Sequence, residues 1–366
     1  MAALGPLCFR RDLVLVPADY IFFLFLLTIS FSFAFNGQSS NTKECELLAL
    51  SLSAYPACRL ITETDLTIGR PSFIAVSSLI VVLGTVATGF AVFQQWDDPH
   101  GKPFVFGFDA APTYFLQSLS FLILAGVTVG NLTMRRTAIV SALIFLPMAI
   151  FAASLVRFTF LALAVSLFVA IFFSGVGQRK HVFVIGAVIL LAIATGLTAR
   201  YAKARLIADY ALEQSSGVVT WKRPPSCDLK INPKNSIAIR KALSLDALFL
   251  MPRAGWIGTG LDSFMNFSCI KQTEVHNSSL QAAVEFGWMG GALFVLIVVF
   301  TGVAILPLAR HGGAPLFVLC GLVFVVMLSL AHGRLSRDAV LFALLGTAVG
   351  LKETTKSLVL TPSIGR

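Results

Sequence analysis

Long apolar runs govern what this chain can fold into. Stretches near bilayer-crossing length occupy residues 13–35, 71–93, 113–130, 137–153, 158–174, 182–198, 279–309, 314–331 and 338–351. A helix crosses the hydrocarbon layer with roughly 20 apolar residues, and it satisfies its own backbone N–H and C=O groups on the way. Residues 46–61 (ELLALSLSAYPACRLI) form a weaker tenth candidate, short and interrupted by Pro56 and Arg59. The run 279–309 is longer than one span needs and predicts a tilted or projecting helix. Only 13% of residues are charged, against about 25% in soluble domains, so a soluble enzyme is excluded. The first run is longer than a signal-peptide core and lacks an A-x-A cleavage site, so it reads as a retained span. The expected fold is all-α and polytopic, with about ten transmembrane helices and one large loop.

Basic residues set the orientation, because short cytoplasmic loops collect Lys and Arg. With ten spans and a cytoplasmic N-terminus, the inner set is Arg10, Arg11, Arg59, Arg70, Arg135, Arg136, Arg179, Lys180, Arg310, Lys352, Lys356 and Arg366. The short outer loops hold Lys43, Lys102, Arg334 and Arg337, with Arg157 at a helix end. Without the span at 46–61, every later loop changes side, and Arg135/Arg136, Arg179/Lys180 and Arg310 face out. The charge pattern therefore supports a crossing there better than hydropathy does. The expected organisation is an N-terminal membrane part (1–198), an outer loop (199–275), C-terminal membrane helices (276–351) and a cytoplasmic tail (352–366).

The outer loop carries eleven bases and six acids. Long translocated loops escape the positive-inside rule, and a basic surface beside a membrane suits an anionic ligand or anionic headgroups. Cys227 and Cys269 both lie in it, so a disulfide and two free thiols are both open. There is no CxxC pair, no HExxH and no P-loop, so the sequence indicates no metal, no cofactor and no nucleotide engine.

Ionisable groups at span ends are functional candidates, and three places qualify. Arg157, in FAASLVRFTFLALAV, sits at the outer interface. It is either a snorkelling helix-end arginine or a guanidinium able to hold a phosphate through two parallel hydrogen bonds. His276 precedes Asn277 and Ser278, which are good N-caps. A helix N-terminus there directs free N–H groups outward, which suits an anion, and a histidine beside it can take a proton from a hydroxyl. Glu285, nine residues on, points about half a turn away and is not expected to pair with His276. The third place is AHGRLSRDA, residues 331–339, with His332, Arg334 and Arg337. Together these features fit an anionic, diphosphate-bearing lipid at the outer face. Arginines there can offset the charge of a leaving diphosphate.

Four segments also resemble a known family. VHNSSLQAAVEFGWMGG resembles the H-N-x-x-L-x-x-x-x-E-x-G-x-x-G signature of the O-antigen ligase and polymerase superfamily, through His276, Asn277, Leu280, Glu285, Gly287 and Gly290. GWIGTGLDSF resembles its P-x-x-G-x-G-x-x-x-F segment through Gly258, Gly260 and Phe264, with Gly255 in place of proline. RKALSLDALFL resembles its Arg-headed loop helix, with Arg240 at the arginine and the following tryptophan missing. SLVRFTFLALAV resembles its S-R-G segment, with Arg157 at the arginine and Val156 and Phe158 in place of small neighbours.

The resemblance implies a GT-C-like, metal-independent, inverting glycosyltransferase of the bacterial inner (cytoplasmic) membrane, active on the periplasmic side. The donor it implies is a glycan on undecaprenyl diphosphate. The acceptor is lipid A–core for a ligase, or a second lipid-linked glycan for an O-antigen or exopolysaccharide polymerase. Carried over, His276 orients or deprotonates the acceptor hydroxyl, and Arg157 and Arg240 hold the diphosphate. Asn277, Arg253, His332, Arg334 and Arg337 are further candidates for the same site. The expected partners are these substrates and membrane lipids, with no nucleic acid. A transporter or flippase for lipid-linked sugars needs the same basic cavity without a base, and the paired halves that mark many transporters are not seen.

Overall fold

The computed structural model describes residues 14–37, 42–97, 102–205, 208–209, 235–270 and 273–360, with the side chains at 63 and 354–360 excepted. Its regular structure is helical, apart from one isolated bridge between Val105 and Phe108. In chain order the helices are α1 (Pro17–Asn36), α2 (Thr42–Arg59), α3 (Glu63–Gln94), α4 (Ala111–Val129), α5 (Met134–Ala153), α6 (Phe158–Phe173) and α7 (Val176–Ala199). They continue with α8 (Ser236–Ala254), α9 (Phe264–Phe267), α10 (Ser278–Glu285), α11 (Gly287–Ala309), α12 (Gly313–His332), a 3-10 turn (Leu335–Arg337) and α13 (Ala339–Leu360).

Among the described residues, seven helices are long and apolar enough to cross a membrane: α1, α3, α4, α5, α7, α11 and α12. The apolar α6 is shorter, at 16 residues. The protein is a polytopic helical membrane protein. Its exposed side chains include Phe23, Leu24, Leu83, Phe168, Leu190 and Val299, a surface that water would not tolerate and lipid does. The predicted run 279–309 is not one helix. It breaks at Gly287, whose φ of 82° lies in the left-handed region that glycine alone enters at little cost. The short helix α10 is thereby separated from the span α11. Arg10, Arg11, Cys8 and Cys227 lie outside the described residues, as does most of the middle of the predicted outer loop.

The chain divides into two compact units. The first comprises Met1–Thr62, Glu213–Leu306 and Val325–Arg366; the second comprises Glu63–Leu212 and Pro307–Phe324. In the first unit α2 and α13 pack along each other. Gly346 and Gly350, four apart on α13, are why they can. A Cβ at Gly346 would overlap the Tyr55 carbonyl, and one at Gly350 would press on the Arg59 and Ile61 carbonyls. Small residues at this spacing let helix backbones approach closely in a membrane. Glu44 lies beside Ser336 and Arg59 beside Glu353, so α2 and α13 run in the same direction. An aromatic seam joins α1, α2, α11 and α13 through Phe22, Phe25, Tyr55, Phe294 and Phe342.

Buried charge pins one end of these helices. The Arg59 side chain is 1% exposed, and its Nε donates to Asp19 Oδ1 at 3.2 Å. Its Nη1 meets Glu353 Oε2 at 2.5 Å, and Tyr55 donates to Asp19 Oδ1 at 2.9 Å. Loop residues of the candidate site gather at the other end.

In the second unit α5 packs on α7 at Gly196, where a Cβ would overlap the Ala149 carbonyl. Arg200, just past α7, is buried. It donates to Ala153 O and Trp96 O, each at 3.3 Å, and its guanidinium lies 5.6 Å from the Trp96 ring. It thus supplies a cation where the C-terminal ends of α3 and α5 leave carbonyls unpaired.

Removing Arg59 leaves a buried carboxylate without its counter-ion, which costs about 3–5 kcal/mol in comparable sites. The variant Arg59→Met is therefore expected to unfold at markedly lower temperature in detergent. Arg59→Met with Asp19→Asn is expected to regain most of the loss.

Candidate functional site

The residues preceding α10 are held by their polar side chains, and each bond has a local cause. Asn277 caps the helix, its Oδ1 accepting from the Leu280 N–H at 3.1 Å while its Nδ2 donates to Leu330 O at 3.1 Å. Ser278 is fully buried and donates to Asp338 Oδ2 at 2.5 Å; Ser329 donates to the same oxygen at 2.6 Å. Gly333 fits beneath them because a Cβ there would overlap Ser329 O and Ser278 Oγ. His276 enters this arrangement with a φ of 55°. A left-handed non-glycine residue costs roughly 1 kcal/mol or more, and such a backbone persists only where its surroundings impose it.

The two glycine-bearing segments interlock. Thr259 N–H donates to Val284 O at 3.0 Å, Gly260 N–H to Glu285 O at 3.0 Å, and Trp288 N–H to Gly255 O at 2.9 Å. Ser32 of α1 adds a bond to Glu285 O at 2.7 Å. A Cβ at Gly258 would overlap the Glu285 carbonyl, and one at Gly287 the Trp256 carbonyl. This close main-chain crossing is why glycine stands at 258 and 287. The Glu285 carboxyl faces inward, 2% exposed. It takes bonds from Gln281 Nε2 at 2.9 Å and from the Asp262 backbone. Burial, outweighing these bonds, pushes it up to about 8, so at neutral pH it is chiefly the uncharged acid. Gln281 also accepts from the Leu335 N–H at 2.9 Å. Glu285 is thus a tie between α10 and its neighbours.

Arg334 lies at the centre, 8% exposed. Its Nη2 donates to Asp262 Oδ1 at 2.8 Å, its Nη1 pairs with Glu274, and its Nε lies 3.1 Å from Glu44 Oε2. The last contact lacks hydrogen-bond alignment, so the attraction there is electrostatic. Glu44 also accepts from Ser336 Oγ at 2.7 Å and lies 3.5 Å from the exposed Arg337. One guanidinium therefore joins α2, the 259–263 turn, the segment before His276 and the turn before α13. Its charge is committed to three carboxylates.

Arg240, on α8, donates from Nη2 to His332 Nδ1 at 2.9 Å. A guanidinium has no acceptor, so His332 takes this bond as a neutral ring with its proton on Nε2. α8 packs on α10 through Leu243, Ala247 and Leu250 against Val275, Leu280 and Val284. This packing brings Arg240 near His276. Burial first, then the charges of Arg240 and Arg334, hold the His276 imidazole below the usual histidine range. His276 is therefore neutral and able to accept a proton at pH 7. Arg253, in the last turn of α8, is exposed.

Arg157 belongs to the second unit. It starts α6 immediately after a tight turn in which Leu155 has a φ of 63°. It is half-buried, and burial lowers its pKa.

In the first unit the structure brings together His276, Asn277, Arg240, His332, Arg334 and Arg337. Sequence reasoning missed the acids that organise them. Asp262 and Glu274 enter the sequence reading only through the charge of the outer loop, and Glu44 and Asp338 do not enter it. The available signal was a carboxylate at the start of a weakly apolar helix, Glu44, which hydrocarbon-facing sequence rarely carries unpaired. Cys269 is disulfide-bonded, and Cys45, Cys58 and Cys320 are free.

In comparisons with known proteins, no family model matches the chain and no curated protein matches it.

The His276 ring, followed by NMR in isotope-labelled protein, is expected to titrate below the ordinary histidine midpoint. Arg240→Gln removes one of the charges responsible, so the midpoint is expected to rise. A midpoint unmoved by Arg240→Gln would mean that Arg240 does not act on His276.

Proposed function

We propose that the protein is a glycosyltransferase that moves a glycan from undecaprenyl diphosphate to a sugar hydroxyl, with lipid A–core as the acceptor. The observation that carries the reading is the setting of His276. It is a neutral imidazole on a left-handed backbone, beside the N-terminus of α10, within the field of an arginine that can reach an anion. In this scheme His276 takes the proton from the acceptor hydroxyl. The hydroxyl oxygen attacks the anomeric carbon opposite the diphosphate. The carbon–oxygen bond to the diphosphate breaks, configuration inverts, and the diphosphate departs with the bonding electrons. Arg240 offsets the charge that develops on it. Arg157 is the second diphosphate ligand on resemblance alone. Arg334, neutralised by its carboxylates, keeps the loops in place and does not hold substrate.

The proposed topology has ten membrane helices, a cytoplasmic N-terminus and a site on the periplasmic side of the inner membrane. Its support is the course of α2. With Glu44 at the loop-rich end of the first unit and Arg59 at the other, α2 traverses that unit despite its weak hydropathy. Polar groups inside it are satisfied by α1 and α13, and this explains why its sequence need not be apolar.

The test is the polysaccharide profile of a deletion strain carrying the wild-type gene or His276→Ala. Loss of a general base costs about 10²–10⁴-fold in rate. Transfer is therefore expected to vanish from the gel, with protein level and lipid-linked donor unchanged. Long glycan retained on the lipid carrier, with bare lipid A–core, is the ligase result. Single repeat units without polymer assign the same chemistry to a polymerase. Normal transfer by His276→Ala contradicts the role given to His276. Arg157→Lys keeps the charge and removes the two-pronged geometry, so it is expected to slow transfer if Arg157 grips a phosphate. An unchanged rate leaves Arg157 as a helix-end anchor.

A further inference from the structure

The C-terminal end of α8 and the start of α11 expose an aromatic pair that the proposed chemistry does not use. Trp256 and Trp288 are 66% and 41% exposed, and their ring centroids lie 5.6 Å apart at 56°. Trp288 Nε1–H donates to Met251 O at 2.6 Å, which ties the end of α8 to the first turn of α11. Ile257 and Met289, adjacent to the two tryptophans in the chain, are also exposed, as are Leu248 and Arg253 on the last turns of α8, to which Trp288 is tied through Met251.

We propose that this surface is an interfacial anchor, seated in the headgroup layer of the bilayer, with Arg253 facing anionic lipid phosphates. Two observations favour lipid as the occupant. The first is continuity: Trp288 is the second residue of α11, a helix of spanning length and hydropathy, so its ring sits where hydrocarbon gives way to headgroups. Tryptophan concentrates at that level because its ring is apolar and polarisable at once. The second is chemistry. The flanking Leu248, Ile257 and Met289 give a sugar hydroxyl no strong hydrogen-bond partner, whereas lipid accepts them and the cation together.

The anchor has a consequence for the site. The turn that carries Trp256 also carries Gly258 and Gly260, which cross the main chain at Glu285. Arg240 lies at the other end of α8, 13 residues from Arg253 and so about 20 Å along the helix. Seating the tryptophans fixes the depth of this turn and of the end of α8. A lipid-borne headgroup, confined to the same layer, then meets the site at a set height. The inference holds for any reaction on a membrane-borne substrate, so its failure and that of the glycosyltransferase reading are separable.

The test uses full-length protein in vesicles of phosphatidylethanolamine and phosphatidylglycerol. In one variant Trp96, Trp221 and Trp288 are changed to Phe, leaving Trp256; in the other Trp288 alone is left. Both are expected to be quenched strongly by lipids brominated near the headgroup, weakly by lipids brominated near the chain end, and little by aqueous iodide. Strong iodide quenching without bromolipid quenching would overturn the proposal and mark a water-facing platform. Quenching by neither would overturn it in favour of a covering protein surface. Should either variant not fold, the difference between wild type and Trp256→Phe yields the Trp256 signal from one conservative change.

Discussion

The buried guanidinium of Arg334 is the interaction on which the candidate site depends. Three carboxylates from separate segments converge on it: Glu44 of α2, Asp262 of the glycine-bearing turn, and Glu274 two residues before His276. An arginine taken out of water is costly unless paired and well bonded, so none of these segments can leave without stranding a charge. The turn that carries Arg334 binds α10 through the Leu335 N–H, which donates to Gln281, itself bonded to Glu285. The left-handed backbone of His276 is imposed by this closure, with Asn277 and Ser278 fixed on its other side by Leu330 and Asp338.

The closure changes what the basic residues mean. Counted along the sequence, Arg240, Arg334 and Arg337 look like one cationic wall. In the folded first unit, Arg334 is matched by acids and Arg337 shares Glu44. Arg240 is bonded to a histidine and carries its charge toward His276. What remains close together on the hydrogen-bonded frame is the His276 imidazole, the Arg240 guanidinium and the N-terminus of α10. Such preorganised groups stabilise charge without first having to reorder.

Much of this was legible in the sequence. The length of apolar runs marked the spanning helices, because a membrane helix advertises itself by composition. Charge counting pointed to a helix near 46–61, and α2 (Thr42–Arg59) lies there; its hydropathy is poor because its polar residues meet Asp19, Glu353 and Arg334. The glycines at 258, 260 and 287 could be singled out as a pattern, but the pattern does not say that two of them face each other's neighbours across a main-chain crossing. The break at Gly287 was hidden because Phe286, Trp288 and Met289 carry the apolar run across it. The acids were hidden for a different reason. Glu44, Asp262, Glu274 and Asp338 lie far apart in sequence and acquire a role only through pairing across helices, which no local period encodes.

The central claim is that the frame around His276 performs glycosyl transfer, and reconstitution tests it most directly. Purified protein in lipid nanodiscs would be given a glycan on undecaprenyl diphosphate and a lipid A–core acceptor, with a chelator present, and glycosylated acceptor and released undecaprenyl diphosphate would be quantified. The account predicts both products in equal amounts from wild type, and neither from His276→Gln. Donor that binds wild-type protein yet yields neither product, or equal yields from both proteins, would contradict it.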